Sequence, residues 1–262
     1  MSKKIIIPMS DSKTQHFINQ AYLSYVQKAG YTPLLVPQST QNLDDYITMA
    51  DGLLLPGGID IDPIYYGENN YNCRGTELEK DEFERSLLHK CVANKKPVFG
   101  ICRGFQLLFR ELQFEFGLPE LQYSQHLGGG HNAPDNLSVS RKSRHHDIYA
   151  NTAVLWRDGN QVNTFNRCFV NSMHHQGVII SHDQFLSEKK DVMYVNDTFG
   201  PVRILAYTSF AMERKEKKEY VIEAIEADWN GSRIVAVQWH PEELEDVTLL
   251  QTCFEGDMTN AA

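Results

Sequence analysis

A cysteine stands between two glycines where an apolar, strand-like run gives way to a helical pattern, in residues 100–104 (GICRG). The pattern has the shape of the nucleophile elbow Gly-x-Ser-x-Gly, with Cys102 in the place of the serine. Glycine is required on both sides because the turn is too tight for a Cβ atom, and the unpaired N–H groups of a helix start stabilise a thiolate. The motif alone leaves two interpretations open, a nucleophile or a buried structural cysteine.

A candidate base follows a second apolar strand, in residues 238–242 (QWHPE). A cysteine nucleophile needs a base, and the base needs an orienting partner; His240 and Glu242 supply both types. Pro241 restricts His240 to an extended conformation. If both strands are parallel, Cys102 and His240 lie at the same edge of the sheet, where α/β folds place their sites. The alternative, a lone exposed histidine, carries little weight beside the cysteine turn.

A third strand-like run ends in residues 56–58 (PGG). Glycines allow main-chain N–H groups to turn toward a ligand. Together with the amide of Arg103 they would form an oxyanion hole. Taken alone, the three residues are only a turn signal.

Adjacent histidines raise the question of a metal site, in residues 171–176 (NSMHHQ) and 145–147 (HHD). No carboxylate or thiolate stands at ligand spacing beside the first pair, so we expect a polar loop that lines the site and no metal. For the second segment we expect packing or loop hydrogen bonds.

The elements that must position these residues alternate through the first half of the chain. Apolar periodicity predicts strands over 4–8, 32–36, 52–55 and 97–101, and helices from the candidate caps Asp11 and Ser12 to Gly30, over 76–94 and over 104–114. The second half is richer in β-structure, with strands predicted over 148–155, 168–170, 220–227 and 234–238, and a last helix over 243–254. This predicts an α/β fold, a mostly parallel sheet covered by helices on both faces, in a single domain spanning 1–262. Two segments look different: 125–147, rich in glycine and histidine, and 213–219, a solvated charge run.

Composition excludes several classes of protein. With 262 residues, 42% of them hydrophobic and 23% charged, the chain is ordinary globular protein. With a net charge of -9, the chain lacks the excess of basic residues that is typical of a nucleic-acid binder. It contains no apolar run long enough for a bilayer and no signal-peptide pattern, so we expect a cytoplasmic protein without a membrane partner. Five cysteines without a CxxC pair argue against disulfides and a cysteine-based zinc site.

In this order, the PGG, GICRG and WHPE segments resemble the class I (triad) glutamine amidotransferase family, whose fold is flavodoxin-like. The resemblance spans residues 52–242. Residues 55–67, Arg103, the Asp81 to Glu84 segment, the 170–174 loop and residues 221–226 are similar to the branch of cysteine peptidases that hydrolyse γ-glutamyl-γ-aminobutyrate in putrescine breakdown. His175 departs from the branch, which often has glycine there. The loop 122–131 does not match the branch pattern closely, and the charged stretch around 189–218 looks longer than usual.

The resemblance implies a mechanism. The Cys102 thiolate attacks a glutamyl γ-carbonyl, the N–H groups of Gly58 and Arg103 hold the oxyanion, and His240, oriented by Glu242, protonates the leaving amine and then activates water. A glutamyl thioester is the intermediate, and neither a metal nor a cofactor is required. The residues that the resemblance implies for glutamyl binding are Gly57, Gln106, Met173, His174, His175 and Gln176.

Three functions are compatible with these motifs. The first is a free-standing hydrolase of a small γ-glutamyl substrate. The second is a glutaminase subunit that supplies ammonia to a separate synthetase; we expect no synthetase segment in these 262 residues, which favours the first. The third is a non-catalytic binding module, which the intact Cys102, His240 and Glu242 disfavour. A homo-oligomer is compatible with each of them.

Overall fold

The structure, a computed structural model, describes residues 2–119, 121–125, 127, 142–143, 146–159, 164–189, 192–195, 198–210 and 219–255. In chain order the strands are β1 (Lys4–Pro8), β2 (Ser10–Asp11), β3 (His16–Phe17), β4 (Thr32–Val36), β5 (Gly52–Leu55), β6 (Val98–Ile101), β7 (Gln122–Ser124), β8 (His146–Ala150), β9 (Asn166–Val170), β10 (Gly177–Ser181), β11 (Leu186–Lys189), β12 (Val192–Val195), β13 (Thr198–Phe199), β14 (Val202–Phe210), β15 (Glu219–Trp229) and β16 (Ser232–Val237). The helices are α1 (Gln20–Lys28), α2 (Leu43–Met49), α3 (Leu78–Ala93), α4 (Arg103–Phe116), α5 (Thr152–Leu155), α6 (His182–Phe185) and α7 (Val247–Glu255), with a 3-10 turn at Pro63–Tyr66.

A twelve-stranded sheet has the central order β4-β1-β5-β6-β16-β15-β14-β8-β9. The neighbours from β4 to β16 run parallel, and the strands added by the second half of the chain pair antiparallel. Strands β5, β6 and β16 are wholly buried, which explains why their sequences are continuous apolar runs. The predicted α/β fold with a β-rich second half is confirmed.

Two hydrophobic cores lie on opposite faces of the sheet because successive strand residues point to opposite sides. On β1, Ile6 packs in one core while Ile5 and Ile7 pack in the other. The first core also receives the buried sides of α2, α3 and α4, and the second receives those of α1, α5 and α7. Helices therefore cover both faces, as the alternation of elements predicts.

The carboxyl ends of three parallel strands meet at one edge of the sheet. Leu55 pairs with Gly100, and Ile101 pairs with Val237, so β5, β6 and β16 end almost level. The three segments that the sequence singled out for chemistry, 56–58, 102–104 and 238–242, each follow one of these strands. The sheet thus brings distant parts of the chain to one place.

The first helix begins later than predicted. Residues 10–17 contain the small antiparallel pair β2-β3, and α1 begins after Asn19 rather than after Asp11 or Ser12. The side chain of Asn19 accepts a hydrogen bond from the N–H of Ala21 at 2.9 Å and so caps the helix.

The strand predicted over 148–155 is wrong in its second half. β8 ends at Ala150, and the side chain of Asn151 accepts a hydrogen bond from the N–H of Val154 at 3.2 Å, which starts the short helix α5. The last helix begins at Val247, four residues after its predicted start. Most of segments 125–147 and 213–219 lies outside the described residues, and the single domain over 1–262 stays a prediction.

Candidate active site

Cys102 occupies a strained turn between β6 and α4. Its backbone has φ 54° and ψ -104°, a combination that residues other than glycine rarely adopt. A Cβ at Gly104 would lie 2.2 Å from the carbonyl oxygen of Leu55, and one at Gly100 would lie 2.8 Å from the carbonyl oxygen of Gly104. Both glycines are therefore sterically required, and the predicted tight strand–helix turn is confirmed.

His240 and Glu242 form a buried pair beside this turn. Nδ1 of His240 lies 2.7 Å from Oε1 of Glu242, which leaves Nε2 free to exchange a proton with a neighbouring group. The amide side chain of Asn171 binds the main chain of His240 twice, accepting from its N–H at 2.9 Å and donating to its carbonyl at 3.0 Å. Asn171 thus fixes the backbone from which the imidazole projects.

The electrostatics of the site favour a protonated imidazole. Burial by itself lowers the pKa of His240, but the negative charge of Glu242, followed by the charge of the Cys102 thiolate and hydrogen bonds to both groups, raises that pKa to about 10. At neutral pH the imidazole of His240 therefore carries a proton that it can donate.

The glycine turn after β5 lies against these residues. The N–H of Gly57 donates a hydrogen bond to the hydroxyl of Tyr22 at 2.9 Å, and a Cβ on this glycine would lie 3.0 Å from Cε1 of His240. Within the described part of the chain, the N–H of Gly58 has no acceptor. Gly58 lines the same cavity as Cys102, and Arg103 follows Cys102 at the start of α4, so these two N–H groups are candidate donors beside the cysteine.

The side chain of Arg103 points away from the cysteine into a buried cluster of charges. Its guanidinium forms ion pairs with Asp81 and Glu84 of α3, and Nζ of Lys80 lies 2.6 Å from Oε1 of Glu84. Burial opposes ionisation of Glu84, but the charges of Arg103 and Lys80 outweigh it and hold the pKa of Glu84 below its ordinary value. At Asp81 burial outweighs the charge of Arg103, and the pKa of the Asp81 carboxyl is raised above its ordinary value.

This cluster also reaches the segment that follows the glycine turn. Oδ2 of Asp81 accepts a hydrogen bond from the N–H of Asp62 at 2.8 Å. A Cβ on Gly58 would lie 3.3 Å from Cδ of Arg103, so the arginine stem packs directly under that glycine. The cluster therefore connects α3 to both candidate oxyanion donors.

A cavity of about 570 Å³ opens in front of Cys102. Five residues predicted for the site line it: Gly57, Gly58, Cys102, Met173 and His240. Its lining also includes residues of the β2-β3 hairpin, the residues just before α1 and within it, Ile59, and residues at the start of α3. The hairpin contribution and the Tyr22 contact have no local signal in the sequence, because they join residues 10–22 to a site more than 30 residues away.

Gln106 and Gln176 form a second layer behind the cavity. Nε2 of Gln106 donates a hydrogen bond to the carbonyl of Gln176 at 3.2 Å. The hydroxyl of Tyr123 donates to Oε1 of Gln176 at 2.6 Å and lies 3.3 Å from Oε1 of Gln106. Both glutamines are buried and, among the described residues, they bind protein groups rather than line the cavity.

The two histidines of the same loop point in different directions, and neither lines the cavity among the described residues. Nε2 of His175 lies 2.9 Å from Oδ2 of Asp60, which is close to the glycine turn. His174 lies near the buried carboxylate of Glu223, which is also 3.1 Å from Nε2 of His146. Burial lowers the pKa of His174, whereas the charge of Glu223 overcomes the same effect at His146 and raises its pKa.

Over the described ranges, no three histidine, cysteine or acidic side chains are grouped so as to hold a metal ion. No helix in the described part of the chain has the length and apolar character needed to cross a membrane.

Comparison with known proteins identifies the family. The model of the Peptidase C26 family matches residues 7–242. YvdE, a glutamine amidotransferase-like protein of Lactococcus lactis, is 28% identical over 231 residues, which cover 86% of this chain and 80% of the relative. A gamma-glutamyl-gamma-aminobutyrate hydrolase of Escherichia coli O157:H7 is 30% identical over 95 residues, 35% of this chain and 37% of that protein.

Solved structures support the fold. The glutaminase domain of Trypanosoma brucei CTPS, with bound acivicin, matches 98% of this chain with a TM-score of 0.53 at 13% identity, and 95% of that domain is covered. Similarity at this level shows a class I glutamine amidotransferase type of fold and nothing finer. Together with the family match, it leads to one conclusion: the chain belongs to the Peptidase C26 family, a glutamine amidotransferase-like family of hydrolases and amidotransferases.

Proposed function

We propose that the protein is a cysteine hydrolase that cleaves the amide bond of γ-glutamyl-γ-aminobutyrate or a related γ-glutamyl amine. The observation that carries the proposal is the joint placement of a strained cysteine, φ 54°, and a histidine 2.7 Å from its carboxylate partner at one sheet edge. Holding a buried cysteine in a strained backbone conformation costs free energy, and a purely structural role would not require that conformation. The family and the partial match to a gamma-glutamyl-gamma-aminobutyrate hydrolase support the same reaction class.

In the proposed reaction Cys102 acts as a thiolate, and His240 acts as its protonated partner. Sγ of Cys102 attacks the γ-carbonyl carbon of the substrate, and a C–S bond forms while the carbonyl oxygen becomes an oxyanion. The C–N bond then breaks, and the leaving amine takes the proton from Nε2 of His240. The enzyme now holds a glutamyl thioester, and His240 is neutral.

Water completes the cycle in the second half-reaction. Neutral His240 removes a proton from water as the oxygen attacks the thioester carbon. The C–S bond breaks, glutamate leaves, and the Cys102 thiolate and the protonated imidazole are restored. Dividing a difficult amide hydrolysis into two steps lowers the barrier of each.

The oxyanion is held by two main-chain donors. The N–H of Gly58 has no acceptor within the described chain, and the N–H of Arg103 lies at the start of α4, where helix N–H groups lack intrahelical partners. Donors aimed at a developing charge stabilise the transition state more than the substrate. The N–H of Gly57 serves a different purpose, because its hydrogen bond to Tyr22 holds the turn.

The glutamyl group is bound by the inner part of the cavity. We place Gly57 and Met173 in contact with it, since both line the cavity beside Cys102. Gln106, His174, His175 and Gln176 act from the layer behind, where their hydrogen bonds fix the loop that carries Met173. No metal or other cofactor takes part.

A direct assay tests the proposal. The purified chain is given γ-glutamyl-γ-aminobutyrate, other γ-glutamyl amines and glutamine in separate reactions, and free glutamate is measured. Turnover of γ-glutamyl amines by the isolated chain supports the hydrolase. Activity on glutamine alone that rises with an added synthetase would replace it with the ammonia-supplying glutaminase, a function for which the CTPS glutaminase domain gives only a likeness of fold.

Substitution of Cys102 tests directly whether it is the nucleophile. Cys102→Ala is expected to lose activity by at least ~10³-fold, as in other catalytic units that act together. Cys168→Ala is the matched control, because Cys168 is a partly exposed cysteine on β9 that forms no disulfide among the described residues and lies outside the cavity lining. Full activity in Cys102→Ala would eliminate the proposed mechanism.

A further inference from the structure

The cavity of about 570 Å³ in front of Cys102 can hold a leaving group larger than ammonia. Its lining includes Phe17 and Ile18, at the end of the β2-β3 hairpin, and Ile59, which follows the glycine turn. Phe17 is 52% exposed and Ile59 is 41% exposed, although both side chains are strongly apolar. Exposed apolar side chains that line a cavity are suited to bind aliphatic carbon.

One acidic side chain of the cavity lining is available to a ligand. Glu77 lines the cavity, and within the described residues its carboxylate makes no hydrogen bond or ion pair. Lys80 also lines the cavity, but its ammonium is buried and lies 2.6 Å from Glu84. Of these two charges, the one available to a ligand is therefore negative.

The surrounding charges reinforce this sign. Residues 77–84 (ELEKDEFE) contain five acidic side chains and one lysine, and of these Glu77 and Lys80 line the cavity. Even with the guanidinium of Arg103 added, the group is net negative. A carboxylate brought near this group would be repelled, and an ammonium would be attracted.

On the basis of the proposed function, we infer that the preferred leaving group is an alkylamine ending in an ammonium, that is, one end of an aliphatic diamine. Its methylene groups pack between Phe17 and Ile59, and its distal ammonium pairs with Glu77. Glu77 is then the residue that determines specificity for the leaving group. A leaving amine that ends in a carboxylate, such as γ-aminobutyrate, is the disfavoured member of the same series.

Three substrates of matched length test the inference. They are the γ-glutamyl conjugates of 1,4-diaminobutane, butylamine and 4-aminobutyrate, whose distal groups are an ammonium, a methyl and a carboxylate. A half-exposed ion pair changes kcat/KM by about 5-fold, and repulsion adds a similar factor, so the expected order is diamine, butylamine, aminobutyrate with about 5-fold at each step. The advantage of the diamine conjugate should shrink as salt is added.

Variants assign the preference to one side chain. In Glu77→Gln the ratio of kcat/KM between the diamine and butylamine conjugates should fall to near one, and in Glu77→Lys the aminobutyrate conjugate should become the best substrate. Glu79→Gln is the matched control, since Glu79 is an exposed acidic residue of the same helix turn that does not line the cavity, and it should keep the wild-type order.

The outcomes separate this inference from the proposed function. If none of the three conjugates is cleaved, the proposed hydrolase fails. If the butylamine conjugate is cleaved but the three rates are equal, or if Glu77→Gln keeps the wild-type ratios, the hydrolase stands and the inference about the leaving group is overturned.

Discussion

Replacement of Arg103 by methionine tests how the nucleophile turn is held. The arginine is 1% exposed and pairs with Asp81 and Glu84, and its stem packs under Gly58. Methionine keeps most of the apolar volume but removes the positive charge. Glu84 retains its pair with Lys80, whereas Asp81 loses its only ion pair among the described residues.

The expected decrease in stability follows from the ion pair that Asp81 loses. Removing one partner of a buried ion pair costs about 3–5 kcal/mol, because the other charge stays buried without compensation. For a protein of this size each kcal/mol lowers the melting temperature by about 2–4 °C, so we expect a decrease of roughly 6–20 °C. The same disturbance reaches the Arg103 and Gly58 N–H groups, so kcat should fall together with stability.

Urea unfolding of the wild type and the variant measures the effect. Arg85→Met is the matched control, because Arg85 is 43% exposed and its pair with Glu111 at 3.0 Å should contribute less than about 1 kcal/mol. Adding Asp81→Asn to Arg103→Met should recover part of the stability, since it removes the uncompensated charge. If Arg103→Met unfolds within 1 kcal/mol of the wild type, like the Arg85 control, the role assigned to the cluster is wrong.

Three further predictions concern the site and its surroundings. Gly104→Ala should abolish activity and lower the yield of folded protein, because its Cβ would lie 2.2 Å from a carbonyl oxygen of β5; activity near the wild-type level would contradict the steric argument. Glu242→Gln should lower the pKa of His240 from about 10, and because a protonated imidazole favours a thiolate beside it, the rate of iodoacetamide alkylation of Cys102 at neutral pH should decrease; an unchanged rate between about pH 6 and pH 8 would show that the carboxylate does not control the reactivity of the cysteine. Glu223 raises the pKa of His146, so the stability from this pair is present below the ordinary histidine pKa and is lost as the pH rises through the raised value. The difference in unfolding free energy between wild type and Glu223→Gln should therefore be larger at about pH 5.5 than at about pH 9, and the opposite trend would disprove the assignment.

Local signals in the sequence were sufficient to predict the sheet edge that carries the site. Short, wholly apolar runs that alternate with helical patterns are typical of central strands of a parallel sheet, and the carboxyl ends of such strands lie at one edge, so the sequence predicts that Cys102 and His240 meet. The glycines around Cys102 identified the tight turn for a steric reason that the structure confirms. These predictions succeeded because each depends on a few neighbouring residues and on one general rule of sheet geometry.

Other features depend on contacts between distant segments and leave no local signal. Tyr22 and Asn171 support the site by hydrogen bonds to main-chain groups, which any sequence could supply. The predicted start of α1 is wrong because Asp11, Ser12 and Asn19 are all acceptable caps. Residues 10–17 contain the β2-β3 pair, so the helix begins only after Asn19. No strand is predicted over β14, and its position in the sheet depends on pairing with β15.

The most direct test of the central claim is to trap the covalent intermediate. The purified enzyme is mixed with a γ-glutamyl amine, quenched in acid within the first turnovers, and digested for mass spectrometry. We predict one added glutamyl acyl group on the peptide that contains Cys102, sensitive to hydroxylamine as a thioester should be, and accumulating further in His240→Ala if any acylation occurs there. Active enzyme that releases glutamate with the Cys102 peptide unmodified throughout, or with the acyl group on another residue, would contradict the account.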